Sequence, residues 1–153
     1  MVEGYSKFFT FEELTDSKDH PQLVEENRKL ALKYVNSGKR LSKLCESIRD
    51  ILGGKAIKAN SGFRSPRLNV AVGSKAEKSK HKVFEAVDLN ILNMTELEAF
   101  NKLKKAKEDG LLPDLRKVLM EGSWLHVEVS MSVGDYRGFF VSKDGNKTWE
   151  KVA

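Results

Sequence analysis

Histidine is scarce in this chain, with three copies at positions 20, 81 and 126, so any imidazole chemistry rests on few side chains. Two of them have unusual neighbours. His81 lies in Ser79-Lys80-His81-Lys82-Val83-Phe84-Glu85-Ala86-Val87-Asp88, where a basic polar stretch runs into an apolar one interrupted by a single aspartate. Read as a strand, the second part puts Ala86 and Asp88 on one face and Val87, Leu89 and Ile91 on the other. A carboxylate on such a half-buried strand is costly unless it is paired, hydrogen-bonded or bound to a metal. Trp124-Leu125-His126-Val127-Glu128-Val129 alternates as strictly, placing Trp124, His126 and Glu128 on a common face. Two imidazoles and a carboxylate are a ligand set for catalytic zinc, which takes three protein ligands and keeps its fourth position for water or substrate. Spacing alone leaves the alternative open: a hydrogen-bonded strand aspartate and two unrelated histidines. His20, beside Pro21 at a helix start, reads as an exposed residue in a connection.

A further cluster is Asn60-Ser61-Gly62-Phe63-Arg64-Ser65-Pro66. Gly62 permits a tight backbone path, Pro66 can begin a short helix, and Arg64 offers a rigid fork suited to a carboxylate or an oxyanion. Taken singly, Arg64 reads equally as a surface arginine or an internal ion pair. The lone cysteine, Cys45, excludes an intramolecular disulfide, and its place on an apolar helical stripe reads as a small core residue.

These residues need elements to position them. Thr10 with Glu13 forms a capping-box signature for a helix over 11–17, and Pro21 can start a second helix through Leu23, Leu30 and Tyr34. Leu41, Leu44, Cys45, Ile48, Ile51 and Leu52 recur at helical spacing until Gly53-Gly54 stops the run. Strands are predicted over 56–59 and 85–91, followed by a helix that Thr95 and Glu98 cap and that ends near Gly110. The tail reads as strands over 117–120, 124–130, 138–141 and 148–152, the last two joined by a turn at Lys143-Asp144-Gly145-Asn146. Helices first and a mostly antiparallel sheet later is the pattern of an α+β domain. With 153 residues and no repeat or linker, the simplest division is one domain over 1–153, with a helical part at 1–54 and an α+β core at 55–153.

The chain carries 27 Lys and Arg against 22 Asp and Glu, a net charge of +5. That permits attraction to polyanions without choosing among them. With 8% aromatic residues and no basic-aromatic recognition module, nucleic-acid binding is a minor option. No apolar run approaches the roughly 18–20 residues of a membrane span. The opening MVEGYSKFFTFEEL lacks the layout of a secretory leader.

In order and spacing, Ser61-Gly62-Phe63-Arg64-Ser65, then Asn69 and Val72-Gly73, then Ser79-x-His81 with Ala86-x-Asp88, then Trp124-x-His126 resemble the zinc D-Ala-D-Ala carboxypeptidase and murein endopeptidase family. Phe8-Phe9-Thr10-x-x-Glu13-Leu14 resembles the opening of many phage and bacterial members, so the likeness spans about residues 7–130. The resemblance implies a fold of N-terminal helices packed on a sheet that carries a zinc site. It implies that His81, Asp88 and His126 hold zinc, that Arg64 grips a substrate oxygen and stabilises the oxyanion, and that Ser79 hydrogen-bonds the substrate. The expected substrate is a peptidoglycan peptide, cut by a carboxypeptidase or an endopeptidase. The alternative is a non-catalytic relative that binds murein or serves in a virion.

Two positions depart from the family pattern. Phe84 replaces a glycine, so the loop from His81 to Asp88 is expected to take a different path. Ser123 stands where many relatives carry the acidic base, which makes Glu121 the first candidate for general base and Glu128 the second, with Glu128 read equally as an outer partner of the metal ligands. The bond selected is expected to depend on loops around 73–85 and 131–138. With no leader expected, a phage-type lysin released through a holin, or a virion-associated or prophage protein, is the expected kind, and a monomer is the simplest oligomeric expectation.

Overall fold

A computed structural model describes residues 2–74 and 78–153; residues 75–77, within the 73–85 loop, lie outside the described residues. The elements run α1 (Phe11–Leu14), α2 (Val24–Ala31), α3 (Val35–Ile51), β1 (Ile57–Ser61), α4 (Pro66–Ala71), β2 (Ala86–Ile91), α5 (Glu96–Glu108), β3 (Leu115–Met120), β4 (Leu125–Val129), β5 (Gly138–Val141) and β6 (Glu150–Lys151). The fold is α+β, with one six-stranded sheet in the order β1-β2-β4-β3-β5-β6. Every pairing is antiparallel except β3 with β5. No helix among the described residues is long and apolar enough to cross a membrane.

The capping boxes form as the sequence predicts. Thr10 Oγ1 accepts from Glu13 N and Thr95 Oγ1 from Glu98 N, each at 3.1 Å. Helix α1 is shorter than the predicted 11–17. Thr15 leaves helical geometry, and its hydroxyl turns back on Phe11 O at 2.8 Å. The second predicted helix is interrupted: α2 is flanked by 3-10 turns at Pro21–Leu23 and Leu32–Tyr34, and α3 begins directly afterwards, six residues before Leu41. Asn27 and Ala31 form the inward stripe of α2, continuing from buried Leu23 on the turn before it, while Leu30 is 42% exposed. The periodicity was offset because a polar residue, Asn27, occupies the buried face. Gly38 is accommodated within α3 because a Cβ there would lie 2.3 Å from the Tyr5 hydroxyl and 2.7 Å from the Phe84 ring.

Strand β6 is two residues long where five were predicted, since the preceding turn takes Thr148: Asp144 Oδ1 accepts from Thr148 N at 2.9 Å, and Oδ2 accepts from its hydroxyl. On one face of the sheet, Val87, Leu89, Val118, Leu125, Val127 and Val129 pack with α3 and α5 side chains such as Leu41, Cys45, Ile48, Phe100 and Leu103 into the core. Burial pushes the Cys45 thiol far up, so it is an inert core residue. Asp88, His126 and Glu128 occupy the opposite face through strand alternation, with Asp88 directly across from His126 in the β2–β4 register.

The loop that carries His81 keeps the path expected of a glycine. Phe84 adopts φ 62° and ψ 36°, in the left-handed region, and so corrects the expectation of an altered course. That backbone costs an L-residue about 1–2 kcal/mol. The ring is fully buried against Tyr5, Phe11 and Phe63, with centroids 5.5–6.3 Å away. Burying a phenylalanine contributes roughly 1.5–3 kcal/mol, which offsets the strain.

Candidate metal centre

His81 and His126 reach the same point from different kinds of structure. Ser79 Oγ accepts from His81 N at 3.2 Å and caps the 3-10 turn Lys80–Val83, which carries His81 toward the sheet. There, His81 Nδ1 donates to Gly62 O at 2.8 Å. A carbonyl can only accept, so the proton sits on Nδ1 and the Nε2 lone pair is left facing Asp88 Oδ1, 3.4 Å away. His126 stands on the central strand β4; its Nε2 donates to Glu128 Oε2 at 2.8 Å, and its Nδ1 lies 3.1 Å from the same Asp88 Oδ1. The ligand atoms of His81, Asp88 and His126 all fall within 4.8 Å of one another.

Electrostatics sets the three residues apart. Burial pushes the His81 imidazole below its ordinary value, and the nearby Asp88 only partly opposes this. Burial alone would raise Asp88, but the two imidazoles outweigh it and hold the carboxyl well below the usual range. Burial also works against the charged form of His126, yet its hydrogen bonds to Asp88 and Glu128 lift it to about 9. Glu128 is held at about 2 despite its burial, chiefly by its bond to His126. The carboxylates of Asp88 and Glu128 thus favour the protonated form of His126, while burial favours the neutral form of His81.

Glu121 reaches the open side of this cluster through a tight hairpin. Glu121 N donates to Trp124 O at 3.0 Å, and Gly122 takes φ 92° between the two strands. The turn folds Glu121 back until its Oε1 is 3.7 Å from His126 Nδ1. Burial and then the charge of Asp88 push the Glu121 carboxyl up, against His126, Arg64 and Trp124. Glu128 points the other way, at the far nitrogen of His126 and at Arg116. Ser123 is exposed in the turn, and its backbone carbonyl accepts from Asn90 Nδ2.

The Gly62–Ser65 segment is bound at each residue. Gly62 O holds His81, Phe63 N donates to Leu14 O at 2.8 Å, and Arg64 N donates to His81 O at 3.0 Å. A Cβ on Gly62 would lie 2.2 Å from Leu14 O, so a side chain is excluded there. Asn27, fully buried, donates to Thr15 O and Phe63 O at 2.9 and 3.0 Å and accepts from Ser65 N at 2.7 Å. Sequence reading passed over Asn27, although a polar residue on the inward face of α2 marks it. The same reading had no means of finding the Gly62 carbonyl or Arg116, because no spacing rule links them to the histidines.

Two cavities meet above the cluster, sharing Arg64, Val72, Asp88 and Trp124. The smaller, about 340 Å³, adds Gly73, Ser79, His81, Glu121 and His126; the larger, about 540 Å³, runs past β1 to Asp16–Asp19. Arg64 Nε is buried without a hydrogen-bond partner among the described residues. Every site residue expected from the sequence except Glu128 therefore lines the smaller cavity. A convergent donor set able to hold a metal, a carboxyl raised by burial and a guanidinium thus line one cavity.

The sequence profile of the family described as Peptidase M15 matches residues 9–128, and the chain belongs to that family. M15 peptidases are zinc-dependent, and the His81, Asp88 and His126 cluster is able to bind a metal. No curated protein sequence matches the chain.

Proposed function

We propose that the chain is a zinc endopeptidase that hydrolyses stem or cross-link peptides of peptidoglycan, with His81, Asp88 and His126 as metal ligands. The observation that carries this reading is the convergence of His81, Asp88 and His126 beneath Glu121 and Arg64, in a chain of a zinc-dependent peptidase family. The donor set suits zinc. Gly62 O and Glu128 occupy the far nitrogens of the two imidazoles, so the inner nitrogens and Asp88 provide three protein ligands and leave one position open. Zinc bound there would polarise the scissile carbonyl and acidify a water molecule.

The protein's own groups then have distinct tasks. Glu121, its proton affinity raised by burial, takes a proton from the attacking water and delivers it to the leaving nitrogen. Arg64 donates to the carbonyl oxygen as charge develops on it, its Nε having no hydrogen-bond partner among the described residues. Ser79 spends its oxygen on His81 N, leaving the hydroxyl proton for a substrate carbonyl.

Cleavage within a chain is favoured by the placement of the cluster at the junction of two cavities, which leaves room for peptide on both sides of the scissile bond. A carboxypeptidase instead needs a wall that stops the chain at its terminus. The test is release of peptides from purified peptidoglycan by zinc-loaded protein. Internal cleavage products are expected; release of D-alanine alone would replace the endopeptidase by a carboxypeptidase, and no release with zinc bound would end the hydrolytic reading.

A further inference from the structure

The charged line behind His126 continues past Glu128. Glu128 Oε2 accepts from His126 Nε2, while its other oxygen, Oε1, is paired with Arg116 Nη1. Arg116 Nε in turn donates to Asp135 Oδ1 at 3.2 Å, and Asp135 Oδ2 accepts from Met131 N at 3.5 Å, tying the β4–β5 connection to the same guanidinium. Side-chain exposure along this line is 6% for Glu128, 14% for Arg116 and 19% for Asp135. Imidazole, carboxylate, guanidinium and carboxylate alternate along one face of the sheet, leading away from the cleft.

Arg116 occupies this place because β3 is irregular there. Leu115 pairs with Val129 and Lys117 with Glu128, so one residue of β4 follows the other without a gap while β3 carries Arg116 as an extra residue between them. Strict alternation from Val118 would put Arg116 on the core face; the bulge redirects it to the face of Glu128. Lys117, opposite Glu128, supplies positive charge as well. An ammonium on a flexible stem neutralises a carboxylate, whereas the planar guanidinium fork also fixes its orientation.

We propose that Arg116, braced by Asp135, is a positioning residue for the metal ligand His126. By holding Glu128 Oε1 it aims Oε2 at His126 Nε2, which leaves the imidazole one ring orientation, with Nδ1 toward Asp88 and His81. The inference rests on the reading of His81, Asp88 and His126 as metal ligands.

Cobalt(II), whose visible absorption reports ligand geometry, and zinc competition against a chelator test it on the full chain. The wild type is expected to bind one equivalent, lost in His126→Ala. Arg116→Met should weaken zinc binding about 10- to 100-fold and change the cobalt spectrum at saturation. Arg116→Lys should remain close to Arg116→Met in spectrum, since it restores charge without the fork; full recovery by lysine overturns the orienting role. Thermal unfolding of the metal-free variants identifies any that fail to fold, and if Arg116→Met is one, Asp135→Asn takes its place with a smaller spectral and affinity change. Wild-type affinity and spectrum in the folded variant overturn the inference while leaving the metal reading intact. A wild type that binds neither ion removes both.

Discussion

The two imidazoles of the cluster are held by opposite strategies. His81 sits on a short turn and is fixed by backbone: the Gly62 carbonyl takes its outer nitrogen, and its own carbonyl receives Arg64 N. His126 sits in the middle of the sheet and is fixed by charge: Glu128, Arg116 and Asp135 stand in line behind it. The difference shows in their proton affinities, with His81 pushed down by burial and His126 lifted to about 9 by its carboxylates. A neutral anchor produces a ligand ready for metal, whereas a charged anchor produces a stronger donor that first holds a proton.

The largest effect should come from removing what the two sides share. Asp88→Ala takes away the one oxygen that both imidazoles face, and stoichiometric zinc, measured by metal analysis after dialysis, is expected to disappear together with peptide release. Glu121→Gln should spare both anchors: hydrolysis falls about 10²- to 10⁴-fold with zinc content unchanged. Loss of zinc in that variant would place Glu121 among the ligands and redraw the comparison.

The next effect is one of pH. Below about 9 His126 retains a proton that zinc must displace, while His81 is already neutral, so affinity should fall about tenfold per pH unit as pH drops from 9 toward 7. Calorimetry in buffers of different ionisation enthalpy should then register about one proton released at neutral pH; release of two would erase the contrast between the imidazoles. Asn27→Ala probes the backbone-held side alone. It removes three buried hydrogen bonds, two of them to the Gly62–Ser65 segment and one to Thr15 O, and should destabilise the fold by about 2–4 kcal/mol in denaturant unfolding. Zinc affinity in Asn27→Ala is expected to fall less than in Arg116→Met.

The strand-held side was the more legible one in the sequence. Alternation sets Asp88 against the apolar face of 86–91 and puts His126 with Glu128 on one face of 124–129, because the period of a strand is a local property; that the two faces coincide follows from the β2–β4 register. The capping boxes and the Leu41–Leu52 stripe are local in the same sense. The other side depends on contacts between distant segments: Leu14 with Phe63, Asn27 with Ser65, Gly62 with His81. Phe84 was misjudged for a related reason. Its cost is written in its own φ, but the rings that offset that cost come from residues 5, 11 and 63. Glu121 was found through its likeness to a family pattern, and the hairpin at Gly122 supplies the reason that five positions before His126 is close enough.

The bulge in β3 has a consequence for how such a site can change over generations. Deleting Arg116, rather than replacing it, returns Leu115, Lys117 and Val118 to plain alternation with the same β4 partners, at the loss of the bond from Arg137 N to Arg116 O. His126 would keep Glu128, and Glu128 would keep the charge of Lys117 opposite it, but the guanidinium and Asp135 would drop out of the line. Within this fold, the charged brace therefore hangs on a single extra residue, whose removal would leave its neighbours in regular alternation.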